Sequence, residues 1–462
     1  MPDRKPIDMA RRRYKLYPAY KDTGLELLGE IPAHWAVTRI KQVSTKIGSG
    51  KTPSGGSEVY VDDGTMLIRS QNVHFGGLRL DDVAYIDGET DREMANSHVV
   101  EGDVLLNITG ASLGRCCAAR LHGGAANVNQ HVCIIRPRAG GLETSFLANS
   151  LAAEPLQAQI FNSEQGISRD ALTFEQIGAL TVCSPPIDEQ TFVAEFLDRE
   201  TARIDALVAK KERLIELLHE KRTALITRVV TKGLNPNVPM KDSGVEWLGE
   251  IPAHWEMSRL KRLWARCDYG VSDSLAGSGE IRVLTMGHIQ DGEILVPEDG
   301  SLDEVSEDLL LERNDLLFNR TNSRDLVGKV GIFRGSVRDR VSFASYLVRL
   351  RAKANVSPEY LNYLLNSEGL LSLARSLALL SVNQANLNPT RYGEIPVPKP
   401  SVQEQDLISR QISNVAKELD GLTERIRDAI DHLRELRTAL ISAAVTGKID
   451  VRGKPRDLPE AP

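Results

Sequence analysis

Residues 21–35 read KDTGLELLGEIPAHW and residues 241–255 read KDSGVEWLGEIPAHW. A repeat this long implies a repeated structural unit, and it limits the fold to two similar bodies in one chain. The copies lie 220 residues apart, Trp35 against Trp255. The far end of each half repeats too, KRTALITRVVTKG at 221–233 and LRTALISAAVTG at 436–447, with Arg222 and Arg437 offset by 215. Between these anchors Asp103-Val-Leu-Leu-Asn107 corresponds to Asp315-Leu-Leu-Phe-Asn319, and Asp188-Glu-Gln190 to Gln403-Glu-Gln405. The remaining interiors differ much more. The chain is a tandem duplication whose ends stayed alike while its interiors diverged, so the ends serve one shared geometric purpose.

At 462 residues the chain exceeds what one hydrophobic core fills,. Its 41% hydrophobic and 26% charged residues are ordinary for a globular chain, and 5% aromatic residues suit long helices better than an all-β architecture,. No stretch is apolar for the roughly 18 residues a membrane helix needs, and the start of the chain lacks the apolar core of a signal peptide, so the expected location is the cytoplasm with no membrane partner. The five cysteines (Cys116, Cys117, Cys133, Cys183, Cys267) form no CxxC pair and read as buried thiols in a reducing compartment, with no metal site,. A net charge of −6 argues against a uniformly basic nucleic-acid binder,. Local clusters such as Arg11–Arg13 with Lys15, Arg136 with Arg138, and Arg334 with Arg338 and Arg340 are the expected cationic lining instead.

Each half opens with an IPAHW turn, in which proline fixes φ and the flanking Ile and Trp anchor the chain. Short β-rich stretches follow at 65–70, 104–108 and 132–136, and again at 281–285, 315–319 and 346–350, bounded by Gly, Asn or Asp,. Helical patterns occupy 145–162 and 358–378. Each module is therefore mixed α/β. Beyond each module, Ile412, Val415, Leu419, Leu422, Ile426, Ala429, Leu433, Leu436 and Leu440 recur at steps of three and four, a coiled-coil seam. A shift of 215 residues puts Leu197, Ile204, Leu207, Leu214, Leu218 and Leu225 on the seam of the central helix. Each helix covers about 40 residues, roughly 60 Å at the helical rise. The two are expected to pack antiparallel.

Two divergent modules, each followed by a similar long helix, with GEIPAHW in both halves, LLNITGASLG at 105–114, NQHVCIIRP at 129–137, PPIDEQ at 185–190, KPSVQEQ at 399–405 and KKERLIELLHEKRTALITRVVTKGL at 210–234, resemble the specificity subunit of a type I restriction-modification system along nearly the whole chain. The resemblance implies an α/β (mixed α+β) fold class: two similar target recognition domains separated by two long antiparallel coiled-coil helices, a tandem duplication with pseudo-twofold symmetry. It implies an N-terminal arm (1–25), a first recognition domain (26–187), a central spacer helix (188–234), a second recognition domain (235–400), a C-terminal spacer helix (401–450) and a tail (451–462). Each domain is expected to read half of a split, asymmetric site in double-stranded DNA, with a gap set by helix length. The implied partners are two modification (methyltransferase) subunits, which bind S-adenosylmethionine and methylate adenine, and two restriction subunits, which use ATP and Mg to translocate and cut DNA. No catalytic residue, cofactor or metal is expected on this chain itself.

Three motifs tempt otherwise. Residues 45–52 (TKIGSGKT) approximate a phosphate-binding loop, but Thr45 replaces the first glycine and Pro53 blocks the helix that should follow,. Ser184-Pro-Pro-Ile187 approximates the base-holding loop of adenine methyltransferases, but Ile187 lacks a stacking ring and the prolines read as the stop before a helix. His34 and His254 have no ligand-type neighbours at metal spacing and read as packed imidazoles beside Trp35 and Trp255. Base edges are read by Arg, Asn and Gln, and phosphates by Lys, Ser and amides. The loop candidates are Arg69, Gln71, Asn72, Ser112, Arg115, Ser168 and Arg169 in the first half, and Thr285, His288, Gln290, Arg320, Arg324, Lys329, Asn383 and Gln384 in the second. Two rival readings are a free-standing methyltransferase or nuclease, which requires catalytic motifs not found here, and a coiled-coil scaffold, which leaves the divergent interiors unexplained.

Overall fold

The computed structural model describes residues 14–163, 171–272, 279–299, 302–380 and 384–453. The chain forms two compact units. The first combines residues up to Lys211 with those from Arg427 onward, and the second is Glu212–Ile426. The boundary falls inside both long helices, α1 (Ile187–Lys232) and α2 (Val402–Val445), so each unit holds the start of one helix and the end of the other.

In the first unit β1 (Ala36–Arg39) precedes β2 (Ser44–Ser49), β3 (Val104–Asn107), β4 (Cys116–Ala118) and β5 (Val132–Pro137), and β2 to β5 form an antiparallel sheet in the order β4-β3-β5-β2. β3 is buried on both faces, as its unbroken apolar run requires,. Side chains alternate: Val104 and Leu106 join a core with Phe146 and Leu151 of the helix Thr144–Ala152, and Leu105 joins Ile68, Val73 and Val128 on the other face,. A parallel pair, Thr65–Ile68 with Ala126–Val128, lies on that second face. β6 (Thr181–Ser184) then returns to pair with β1 and leads through two prolines into α1.

The second unit repeats this plan. β7 (Glu256–Arg259) precedes β8 (Trp264–Tyr269), β9 (Leu316–Asn319), β10 (Val330–Ile332) and β11 (Leu347–Ala352), ordered β8-β11-β9-β10, and the sheet extends through the hairpin at 289–294. Arg282–Leu284 pairs in parallel with Val341–Phe343, and β12 (Pro396–Lys399) returns to β7. Each central strand begins on a buried acid. Asp103 accepts from Arg136 Nε at 2.7 Å and from the Val100 amide at 2.8 Å; Asp315 accepts from Arg351 Nε at 2.6 Å and from the Glu312 amide at 2.8 Å.

The repeated motifs meet at one cluster per unit. The amide of Gln190 donates to Pro185 O at 2.8 Å and accepts from Glu143 N at 2.7 Å; Gln405 does the same with Pro400 O at 2.9 Å and Ser357 N at 2.8 Å. These contacts lock each helix start to its module. Beside Gln190, Glu189 accepts from Trp35 Nε1 at 2.9 Å and from Arg452 at 2.9 Å, and pairs with His34 at 2.8 Å. In the second unit Glu404 pairs with His254 at 3.1 Å, while Trp255 Nε1 is buried without a partner. Gly447 and Gly233 end the helices at φ of +67° and +76°, each beside the tryptophan of its IPAHW turn,. The ends of the halves stayed alike because the turn, the helix start and the other helix's end close on one another.

The helix ends pack on these cores, Leu197 and Ile204 with Leu440 and Ile441 in the first unit, and Leu225, Val229 and Val230 with Ile408 and Ile412 in the second. Equivalent ion pairs link the antiparallel helices within each unit, Asp205–Arg437 at 2.9 Å and Asp420–Arg222 at 3.9 Å. Of the expected seam, Ile204, Leu218, Ile426 and Leu440 are buried, and Leu225, Leu419, Leu433 and Leu436 are half-buried. Leu207, Leu214 and Leu422 are exposed and do not belong to it. The inward face runs through Val208, Lys211, Ile215 and Arg222 instead, so the seam is more polar than leucine counting suggests. Four cysteines are buried and Cys267 is exposed; burial pushes the Cys117, Cys133 and Cys183 thiols up to about 12, which keeps them unreactive,.

Candidate nucleic-acid interface

The loops that carry the candidate residues gather where the central strands end. Each central strand closes on asparagine. Asn107 N donates to Arg115 O at 2.8 Å and Gly114 N donates back to Asn107 O at 2.9 Å; Asn319 N donates to Lys329 O at 2.8 Å and Gly328 N to Asn319 O at 2.8 Å. Gly114 and Gly328 hold φ of +81° and +85°, a left-handed turn that glycine adopts without strain,. Both asparagines are buried, and both leave Oδ1 without a partner among the described residues. The Asn107 side-chain amide donates to Ser70 O at 2.7 Å, tying the loop after Thr65–Ile68 to the strand end.

A second fixed point is glycine where the edge strand ends. A Cβ on Gly50 would stand 1.6 Å from Val128 O, and one on Gly270 2.1 Å from Phe343 O. Only glycine lets those backbones approach. These anchors make Ser49 of the first unit equivalent to Tyr269 of the second, Ile108 and Thr109 to Arg320 and Thr321, and Gln130 and His131 to Ser345 and Tyr346. The frame is shared and, Thr109 and Thr321 apart, the side chains differ.

In the first unit Thr109 Oγ1 lies 2.7 Å from His131 Nδ1, and His131 Nε2 lies 2.8 Å from Gln130 Nε2, a polar relay with Gln130 Oε1 left unpaired. In the second unit the Arg320 guanidinium lies over the Tyr269 ring at 5.1 Å, and its Nη1 reaches Ser345 O at 3.4 Å. Tyr269 and Tyr346 are 51% and 45% exposed, too much for core aromatics. Gln130, His131, Tyr269 and Tyr346 were not among the sequence candidates; their signal was position, at the last residue of a strand or within two residues before its start, which single-sequence reading does not resolve.

The candidates fall into groups. Ser112 and Arg115 are half-buried beside Asn107, and Arg324 is exposed in the loop after Asn319. Arg69 lies over Tyr60 and donates to Asp82 O at 2.7 Å, Gln71 is exposed and bonded to Asp82, and buried Asn72 donates to Arg79 O and Asp82. Asn72 therefore frames its loop rather than presenting an edge. Thr285 and His288 occupy the places of Arg69 and Asn72: Thr285 N donates to His288 Nδ1 at 2.8 Å, as Arg69 N donates to Asn72 Oδ1 at 3.0 Å. Gln290 is exposed on the adjacent hairpin, and Lys329 lines a cavity of about 500 Å³ with Asp291, Asn362 and Arg222. Gln384 is exposed, whereas Ser168, Arg169 and Asn383 lie outside the described residues. In two of the expected cationic clusters one member is neutralised, Arg136 by Asp103 and Arg334 by Glu293 and Glu359; Arg11–Arg13 lie outside the described residues.

Among the described residues no group of acidic, histidine or cysteine side chains is arranged to hold a metal ion, and no helix is long and apolar enough to cross a membrane. Residues 45–52 run along β2 into Gly50, so the approximate phosphate loop is part of a strand and its crossing point.

Residues 32–217 match the family described as the type I restriction modification DNA specificity domain. The StySPI type I restriction enzyme specificity subunit of Salmonella potsdam is 23% identical over 432 residues, covering 91% of this chain and 90% of the relative. The chain carries that DNA specificity domain and is similar along nine-tenths of its length to type I restriction enzyme specificity subunits. The EcoKI specificity subunit of Escherichia coli K12 is 20% identical over 434 residues, with 91% and 90% coverage. Among solved structures, a chain from work on complex assembly and conformational transition of the type I R-M system superposes with TM-score 0.62 at 16% identity, covering 90% of this chain and 98% of that one. The HsdS subunit from Thermoanaerobacter tengcongensis gives 0.52 at 14% identity, with 91% and 98% coverage. Both likenesses are of fold.

Proposed function

We propose that this chain is a type I restriction-modification specificity subunit that reads a bipartite, asymmetric site in double-stranded DNA, one unit per half. It docks two modification and two restriction subunits, which carry S-adenosylmethionine-dependent adenine methylation and the ATP- and Mg-dependent steps. It works as the non-catalytic member of that complex in the cytoplasm. One observation carries the reading: two units with the same strand-end frame hold different side chains at equivalent positions. A duplicated enzyme site would keep its reactive groups in both copies, and a scaffold has no reason to vary them. Direct readout does, because different base edges demand different donors and acceptors. The α1 and α2 helices serve in this reading as the spacer.

The test is to co-express the chain with its modification subunits, present a randomised duplex library, and sequence the adenines that become methylated. The expected result is a split motif with a fixed unspecified gap, one half of which changes when the strand-end loops of one unit are exchanged. A continuous motif, or methylation by this chain alone, would overturn the proposal.

A further inference from the structure

The two strand ends differ in charge as well as shape. The first unit places the polar relay Thr109, His131 and Gln130 there, with apolar Ile108 where the second has Arg320. In the second unit Arg320 is held on several sides. Its backbone N donates to Tyr346 O at 3.0 Å, its carbonyl accepts from Leu387 N at 2.8 Å, its guanidinium lies over Tyr269, and its Nη1 reaches Ser345 O. Among the described residues no ion pair is found for it, unlike Arg334, Arg349 and Arg351 of the same unit. An arginine kept from carboxylates and held against an exposed ring has its orientation settled before a ligand arrives. That is the arrangement bidentate recognition of a planar acceptor pair requires.

We infer that Arg320 reads a guanine in the half-site of the second unit, donating to O6 and N7 from the major groove, and that Tyr269 is the positioning residue holding the guanidinium plane. The inference rests on the proposed function and names one base of the target. Phosphate contact, the other use of an arginine, calls for reach rather than a fixed plane, and exposed Arg324 in the adjoining loop is suited to that,. The first unit has apolar Ile108 at the equivalent position, so its half-site is read there by other side chains.

The experiment uses the full chain co-expressed with its modification subunits and the randomised duplex library, comparing wild type with Arg320→Ala, Arg320→Lys, Tyr269→Ala and Tyr269→Phe. Arg320→Ala is expected to lower discrimination for guanine at one position by roughly 10- to 100-fold, with the other half-site unchanged. Arg320→Lys should keep overall binding yet lose most of that discrimination. Tyr269→Ala should weaken it in part, and Tyr269→Phe should restore it. A split motif that Arg320→Ala leaves intact, with yield reduced equally on all sequences, overturns the inference alone and makes Arg320 a phosphate contact. A wild-type complex with no split motif overturns the inference together with the reading beneath it. If Arg320→Ala fails to assemble, Arg320→Lys decides: full guanine discrimination in that variant overturns the inference.

Discussion

Where α1 and α2 close on their modules, the two units hold the same residues in the same roles; where β3 and β9 end, the same backbone carries different ones. Gln190 and Gln405 make equivalent hydrogen bonds, as do the backbones of Asn107 and Asn319, yet Ser49 faces Tyr269 in the comparison and Ile108 faces Arg320. Duplication supplied one frame twice. At the strand ends, what differs between the copies is side chains that the frame presents and does not itself need. On the proposed reading stability resides in the positions the two units share and specificity in those they do not, and each can be attacked separately.

The severest attack is on the glycines. Gly270→Val puts carbon against Phe343 O and Ala344 O, and Gly50→Val puts it against Val128 O, with backbone on both sides of the clash. Each substitution should destabilise its unit by at least about 4 kcal/mol, the range reserved for changes the surroundings cannot absorb. Thermal unfolding of the full chain would show a lost or strongly lowered transition. Full tolerance of valine at either position would mean that the two strand ends are not framed alike.

Next come the buried acids. Asp315→Asn leaves Arg351 with only the exposed Glu312, and Arg349, which is fully buried 3.9 Å away, with only Asp268 for charge. Asp103→Asn strands Arg136 alone, and that side chain is 31% exposed and can turn to water. Removing one member of a buried ion pair costs about 3–5 kcal/mol, so Asp315→Asn belongs in that range and Asp103→Asn below it, near 2 kcal/mol. Denaturant midpoints of the two variants test the order; equal losses would show that the second arginine adds nothing to the frame.

Much of this frame was legible in the sequence. The duplication, the Asp-x-x-x-Asn strands and the Glu-Gln helix starts are short-range patterns with one structural solution each, and the resemblance they carry held. The interface was less so. Arg320 stood among the candidates for its residue type, but its partner Tyr269 lies 51 positions earlier and meets it only because β8, β11 and β9 share a sheet. Asn72 carried the same surface signal as Gln71 and proved to be internal, because a side chain that caps its own loop looks in sequence like one that reads a base. Single members of the charge clusters misled for a related reason: Arg136 and Arg334 have acidic partners remote in sequence, and pairing cannot be seen from one side.

A smaller difference sets the closing clusters apart. Glu189 gathers Trp35, His34 and Arg452, whereas Glu404 has His254 and leaves Trp255 Nε1 unpaired. Glu189→Gln should cost about 2 kcal/mol and Glu404→Gln less than about 1 kcal/mol, since charge-assisted bonds are lost at the first and little at the second. The first cluster should also be acid-sensitive. Arg452 holds the Asp450 carboxyl below its ordinary value. The stability from that shift is complete above the unfolded value of about 4 and is lost as pH falls through the folded one. The Tm gap between wild type and Asp450→Asn should narrow from pH 7 to pH 3; a constant gap would remove the ionised pair from the account.

The smallest effect expected is at Leu207 and Leu422, which occupy equivalent places on α1 and α2 and are exposed in both. Leucine counting puts them on the seam, because a pattern of threes and fours can be threaded through either of two adjacent rows wherever both contain apolar residues. Burial selects the other row: Val208 and Ile215 are half-buried beside exposed Leu207 and Leu214. Leu207→Ala and Leu422→Ala should each stay within about 0.5 kcal/mol of wild type, as surface changes do. Ile204→Ala, one turn away and 7% exposed, should cost about 2–4 kcal/mol through the cavity it opens,. Urea midpoints decide between the rows. A loss at Leu207 as large as at Ile204 would return it to the seam, and the polar stretch through Lys211 and Arg222 would then need another role than facing inward.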